Sequence, residues 1–118
     1  MIRFINNNNS EPFKILREKY KQAYAKNEES IEALCISSYS PVKKMVDSRY
    51  VNLKIVDDNK FIFFTNYNSS KSKQFFLHDQ ISAVIFWKKI NTQIRIKAKI
   101  EKTSPQYNKD YFLTRSKE

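Results

Sequence analysis

Residues 93–102 read as a strand whose alternation runs without a break as far as Glu101. Ile94, Ile96, Ala98 and Ile100 hold one parity, and Gln93, Arg95, Lys97, Lys99 and Glu101 hold the other. A period of two marks a strand with one face in a core and the other in water. The same signal, less regular, predicts strands over Ala33–Ser37, Met45–Val56, Phe61–Thr65 and Ile81–Trp87. In Met45–Val56, the residues Val51, Leu53 and Ile55 fall on one face, and Tyr50, Asn52 and Lys54 on the other. Phe61–Thr65 is apolar on both faces, as a central strand is. Ser38–Lys44 reads as a turn broken by Pro41, and Asp57-Asp58-Asn59-Lys60 as a hairpin turn.

Between and around the strands the period changes. Ser10-Glu11-Pro12 offers a capping hydroxyl, an acid in the first turn and a proline where its missing N–H costs little. Phe13, Leu16, Tyr20, Ala23 and Tyr24 follow at helical spacing, predicting a helix over 12–27. A short helix is expected from Ser69 or Ser70 through His78, where a cationic side chain suits the helix end. Another is expected from Ser104-Pro105 to about Arg115, with Tyr111 and Arg115 one turn apart. The Asn-rich residues 1–9 read as a loose leader. Five strands with short antiparallel connections predict a mainly β fold with α: a small antiparallel barrel with flanking helices, one domain over 1–118.

Composition removes several function classes. The chain contains no glycine, so neither a P-loop nor a dinucleotide fingerprint exists in it. One histidine, His78, excludes multi-histidine metal sites, and no nucleophile motif accompanies it. No apolar run is long enough to span a membrane, and the N-terminus lacks the pattern of a signal peptide. The single Cys35 excludes an internal disulfide and fits a reducing, cytoplasmic setting. Cys35 lies in an apolar run and reads as a buried small hydrophobe. The net charge of +10 favours anionic partners, although most of the 22 basic residues are lysine and compositional bias is an equal explanation.

One stretch concentrates the charge where it has a use. Arg49 and Lys54 bracket a strand, Thr65 ends the next, and Lys71 stands at a predicted helix start beside Ser69 and Ser70. A helix start offers free N–H groups and positive potential, an anion site in waiting. The alternative is an ordinary solvated strand face, and the residues alone leave both open.

The segments RYVNLK, FFTNYNSSK, FWKKINTQIRIKAKIEK and YFLTRS, in that order and spacing, resemble the pyridoxamine 5′-phosphate oxidase family. Members of that family are FMN-dependent enzymes on a split β-barrel. The resemblance implies that Arg49, Tyr50, Val51, Asn52, Leu53 and Lys54 form the FMN-binding strand. It implies further FMN contacts from Phe64, Thr65, Ser70 and Lys71, and one from Gln93 across a homodimer. Lys54, Tyr111 and Arg115 match the residues that hold the substrate's phosphate. The implied reaction oxidises pyridoxamine or pyridoxine 5′-phosphate, with molecular oxygen as acceptor and hydrogen peroxide as product. No general acid or base is assigned. The chain departs from the pattern at Ser70 and Thr92, where the family usually has arginine, and at Phe64, where it has tyrosine. Family members also continue well past the position of Glu118.

Two further readings stand beside the oxidase. One is a short FMN-binding relative with another substrate or none. The other, less favoured, is a basic β-barrel binding nucleic acid through Tyr39, Tyr50, Tyr67, Phe75 and Phe76 interleaved with lysines. Neither a metal nor a membrane partner is expected.

Overall fold

The computed structural model describes residues 1–64 and 78–102 and the backbone of 111–116, with side chains described for 1–63 and 78–101. Its elements are β1 (Arg3–Ile5), α1 (Glu11–Ala25), β2 (Ala33–Ser40), β3 (Met45–Asp57), β4 (Lys60–Phe64), β5 (Gln80–Trp87), β6 (Thr92–Lys102) and β7 (Tyr111–Ser116), with a 3₁₀ turn at Lys88–Ile90. The sheet order is β1-β3-β2-β5-β6-β7-β4, and β4 pairs back onto β3. That last pairing curls the sheet into a barrel-like closure. All pairings are antiparallel except β1 with β3.

β3 makes this closure possible because it is long enough to serve several neighbours. Residues 45–52 pair with β2, and 53–57 pair with β4. At the handover the register slips: Leu53 faces Phe63, but Ile55 faces Ile62. Two residues of β3 advance against one of β4, so Lys54 is the extra residue of a β-bulge. The bulge reverses the face of everything after it. Leu53, Phe63, Phe61 and Val56 therefore enter the main core, whereas Ile55 and Ile62 form a second cluster with Ile5. The expected shared face of Leu53 and Ile55 is corrected here, because simple alternation does not survive a bulge. β4 does lie between two strands with apolar residues buried on both faces.

α1 packs Phe13, Leu16, Tyr20 and Ala23 into the core, at the spacing the sequence predicted. Tyr24 leaves that stripe and is exposed. Phe13 stacks on Phe61 at 5.9 Å, and Tyr20 meets Trp87 edge to face at the same separation. Trp87 is 1% exposed, and its Nε1–H donates to the Ile31 carbonyl at 2.9 Å. Each such large side chain contributes about 1.5–3 kcal/mol by burial. Ser10 is the N-cap residue, but its hydroxyl makes no cap; its carbonyl accepts from Phe13 and Lys14 instead.

The first residues are not a loose leader. Ile2 is buried, its N–H donates to the Tyr20 hydroxyl, and β1 lies parallel to β3. The asparagines then work as staples. Asn6 Nδ2 donates to Asp57, and Asn8 Nδ2 donates to Asp58, both at 2.9 Å, which ties the start of the chain to the β3–β4 turn. With no glycine available, asparagine and aspartate take most of the left-handed positions: Asn6, Asn27, Asp58 and Asn91 have φ between 48° and 57°. Their short polar side chains tolerate that region better than other side chains do.

Two further expectations change. Ser38–Ser40 continues β2 rather than opening a turn. Tyr111–Ser116 is strand β7 between β4 and β6, not the end of a helix. Its Tyr-Phe-Leu-Thr run suits a pleated surface, and two strand edges are there to receive it. The rest of that expected helix, and the one from Ser69 or Ser70 up to Leu77, lie outside the described residues; His78 itself has irregular backbone. Cys35 is half-buried rather than fully inside.

The Ile2–Tyr20 bond supplies a test. Replacing Tyr20 with Phe leaves a buried N–H without its acceptor and is expected to cost about 1–3 kcal/mol. Urea unfolding of Tyr20→Phe against the parent measures it. Equal midpoints would show that β1 is not held there.

Candidate functional site

The site predicted on β3 lies where this strand parts from β4. Along its inner face, Leu53 is fully buried, Val51 is half-buried and Arg49 is exposed. Arg49 is in register with Ile36, Ala83 and Ile96, all core residues, so its side chain belongs to the inner face of the sheet. It is exposed because nothing described closes the barrel at that level. The guanidinium therefore stands at the open mouth, with no acidic partner among the described residues.

No strand pairs with the second edge of residues 45–52 among the described residues. Backbone N–H and C=O groups on that edge are available to a planar ligand with its own donors and acceptors. Tyr50 and Asn52 point to the opposite, outer face, and both are exposed. Tyr50 is 74% exposed, with Val46 at 65% and Met45 at 58%, an apolar surface along the same arm.

Lys54, at the bulge, is turned aside from plain alternation. Its ammonium donates to Glu32 Oε1 at 2.8 Å, and the other oxygen of Glu32 takes the Met1 ammonium. The Lys54 side chain is 39% exposed. A pair so open to water contributes about 0–1 kcal/mol. Lys54 is thus held in place but remains free to exchange its partner for a stronger anion.

Gln93 is also exposed, but on the other face. It pairs with Phe86, an outward residue of β5. Arg49 and Gln93 therefore occupy opposite faces, with β2 and β5 between their strands. One chain does not bring them to the same ligand. Tyr111 lies opposite Phe64, and Arg115 between Lys60 and Lys99, both on β7 and separated from β3 by β4. Their four-residue spacing keeps them on one face of a strand, as it would on a helix. Phe64 is placed by its backbone only; Thr65, Ser70 and Lys71 lie outside the described residues.

Sequence reasoning missed Glu32 and the bulge. The adjacent apolar pair Ile55-Val56 was the available signal, since a half-buried strand has no reason to place both inside. Glu32, 22 residues from Lys54, left no local trace.

No family model matches the chain. Curated relatives do. It is 30% identical over 105 residues to a pyridoxine/pyridoxamine 5′-phosphate oxidase of Azorhizobium caulinodans, covering 89% of this chain and 49% of that protein. It is 33% identical over 104 residues to the enzyme of the same name from Trichormus variabilis, covering 88% and 48%. Among solved structures, it superposes on PhzG of Burkholderia lata 383 with a TM-score of 0.77 and 22% identity, covering 84% of this chain and 48% of that one. The chain belongs to the pyridoxamine 5′-phosphate oxidase family. A pyridoxamine 5′-phosphate oxidase-related, FMN-binding protein of Nostoc punctiforme matches with a TM-score of 0.69 and 12% identity, which adds support for the split-barrel fold alone. The chain spans about half the length of the curated family members it matches. Within this split barrel, the open mouth by Arg49 lies where β3 leaves β4.

The Lys54–Glu32 pair yields a prediction. Glu32→Gln removes the charge partner and is expected to change stability by less than about 1 kcal/mol. Chemical denaturation of the variant is the check. A cost of several kcal/mol would mean that Glu32 organises the fold rather than one side chain.

Proposed function

We propose that this chain is the flavin-binding barrel of an FMN-dependent oxidase acting on pyridoxamine or pyridoxine 5′-phosphate. The observation that carries the reading is 30–33% identity to curated oxidases over nearly nine-tenths of the chain. The donor set supports it. A guanidinium with no acidic partner and a strand edge with no pairing strand, both among the described residues, together with an exposed amide, suit a planar, phosphorylated cofactor.

In this reading Arg49 and Lys71 hold the FMN phosphate, and Tyr50 to Lys54, Phe64, Thr65 and Ser70 line the cofactor along β3 and beyond. FMN, when bound, would supply the two-electron redox chemistry between the substrate and oxygen. The protein's own residues bind and orient. Lys54, Tyr111 and Arg115 hold the substrate phosphate by charge-assisted bonds, with Lys54 leaving Glu32 for the more highly charged partner. Gln93 reaches the cofactor of a second copy, since its face is the wrong one for its own chain's Arg49. That supports a homodimer, for which the apolar arm of Met45, Val46 and Tyr50 is a suitable surface. A cytoplasmic setting follows from this chemistry and from the single cysteine. Among the described residues, no helix is long and apolar enough to cross a membrane, and no group of residues is arranged to hold a metal.

The second reading is a short FMN-binding relative without the oxidase reaction.

Purified protein reconstituted with FMN is expected to be yellow, and to release peroxide on addition of pyridoxamine 5′-phosphate. Bound FMN without peroxide leaves FMN binding in place and rejects oxidase activity for this chain. Failure to take up FMN rejects both. Arg49→Ala is expected to weaken FMN by about 1–3 kcal/mol, the range of one charged hydrogen bond, in a fluorescence-quenching titration. An unchanged affinity removes Arg49 from the site.

A further inference from the structure

One cluster on the outer sheet face has no part in the flavin reading. Ser48, Ser37, Ser82 and Lys97 form a single cross-strand row, carried by β3, β2, β5 and β6 in turn. A groove of about 290 Å³ opens beside this row, lined by Ser37, Ser82, Lys97, His78, Tyr39 and Gln80, with Val46 of the apolar arm at its border, above a floor of buried Ser38 and Ile81. Tyr39 and His78 meet edge to face at 5.4 Å and form a flat-sided aromatic wall. Ser37 and Ser48 share a 2.6 Å hydroxyl bond, which fixes one end of the row.

Among the described residues, the charge in this groove has one sign: no carboxylate lines it, and Lys97 has no acidic partner. Asp47 and Asp79 adjoin lining residues in the chain but are not part of the lining. Lys97 offers up to three donors, Ser82 and Gln80 offer more, and the imidazole of His78 adds an N–H. The volume is at the low end for small-molecule sites, enough for one anionic head and a small ring. Lys97 also stands four residues along β6 from Gln93, about 13 Å on the same face, and opposite to the face that carries Arg49.

We propose that this groove is a binding subsite for a small tetrahedral oxyanion, the phosphoryl or sulfuryl head of a small molecule. Lys97 provides the charge, Ser82 and Gln80 provide directional donors, and Tyr39 with His78 packs against whatever the head is attached to. The site is separate from the Arg49 mouth and uses none of the residues assigned to FMN, although Val46 at its border belongs to the arm offered above as a dimer surface.

His78 is the chain's one histidine, which makes its imidazole resonances a single-site reporter. The test follows them by NMR while inorganic phosphate, and separately sulfate, is titrated at fixed pH and ionic strength. Saturable movement is expected with at least one of the two. Saturation by phosphate alone assigns a phosphoryl head, by sulfate alone a sulfuryl head, and by both a general oxyanion site. In Lys97→Gln, an exposed and conservative change, the affinity is expected to fall about tenfold or more. Movement that never saturates, that chloride reproduces, or that Lys97→Gln leaves intact overturns the proposal. FMN uptake by the same variant is expected to be unchanged, so failure of this subsite and failure of the flavin site are told apart.

Discussion

β3 is longer than any one neighbour can match, and the barrel closes only because this strand changes partners along its length. Its first part is bound to β2 and its last part to β1 and β4. The transfer happens at Lys54, where one extra residue is absorbed. An extra residue increases local twist and bends the strand, which is what a sheet needs in order to curl. The same defect that shapes the barrel thus sets the direction of a charged side chain. Straightening it would move Ile55 and Val56 to the wrong faces, so fold and site are not separable at this position.

The open mouth is the other side of this arrangement. A strand that leaves one partner before reaching the end of another must leave part of an edge unpaired and part of an inner face uncovered. Arg49 sits in that gap. An arginine in register with Ile36 and Ala83 would be costly if the barrel continued over it, because a buried guanidinium without a partner is strongly disfavoured. Its presence there is compatible with the fold because, among the described residues, nothing covers the barrel at that level. Arg49 and Gln93 face opposite sides of the same sheet, so one chain does not present both to one ligand.

What the sequence made legible was what is local. The alternation of Ile94 to Ile100 defined β6 because each residue's face depends on its immediate neighbours. Phe13, Leu16, Tyr20 and Ala23 marked α1 for the same reason. β1 and β7 were hidden because their pairing is decided elsewhere. The Asn run after Ile5 looks unstructured until Asp57 and Asp58 are folded next to it. Ser104-Pro105 is a sound helix start, yet the strand edges that receive Tyr111–Ser116 lie far away in sequence. In the candidate site, Arg49 and Lys54 were found from motif order, while the partner of Lys54 was not. Glu32 reaches it only because β2 and β3 are adjacent, and no spacing rule records that.

The unpaired edge of β3 also bears on how the protein keeps company with itself. An edge that no described strand covers, beside exposed Val46 and Tyr50, is a template for any strand that drifts past, including those of half-folded copies of the chain. Asp47 and Arg49, alternating with these apolar residues, make an intruding strand bury charge to join. The net charge of +10 adds long-range repulsion between molecules. Both guards weaken as salt rises and screens them. Clumping of the protomer in concentrated salt would then begin along this edge of β3.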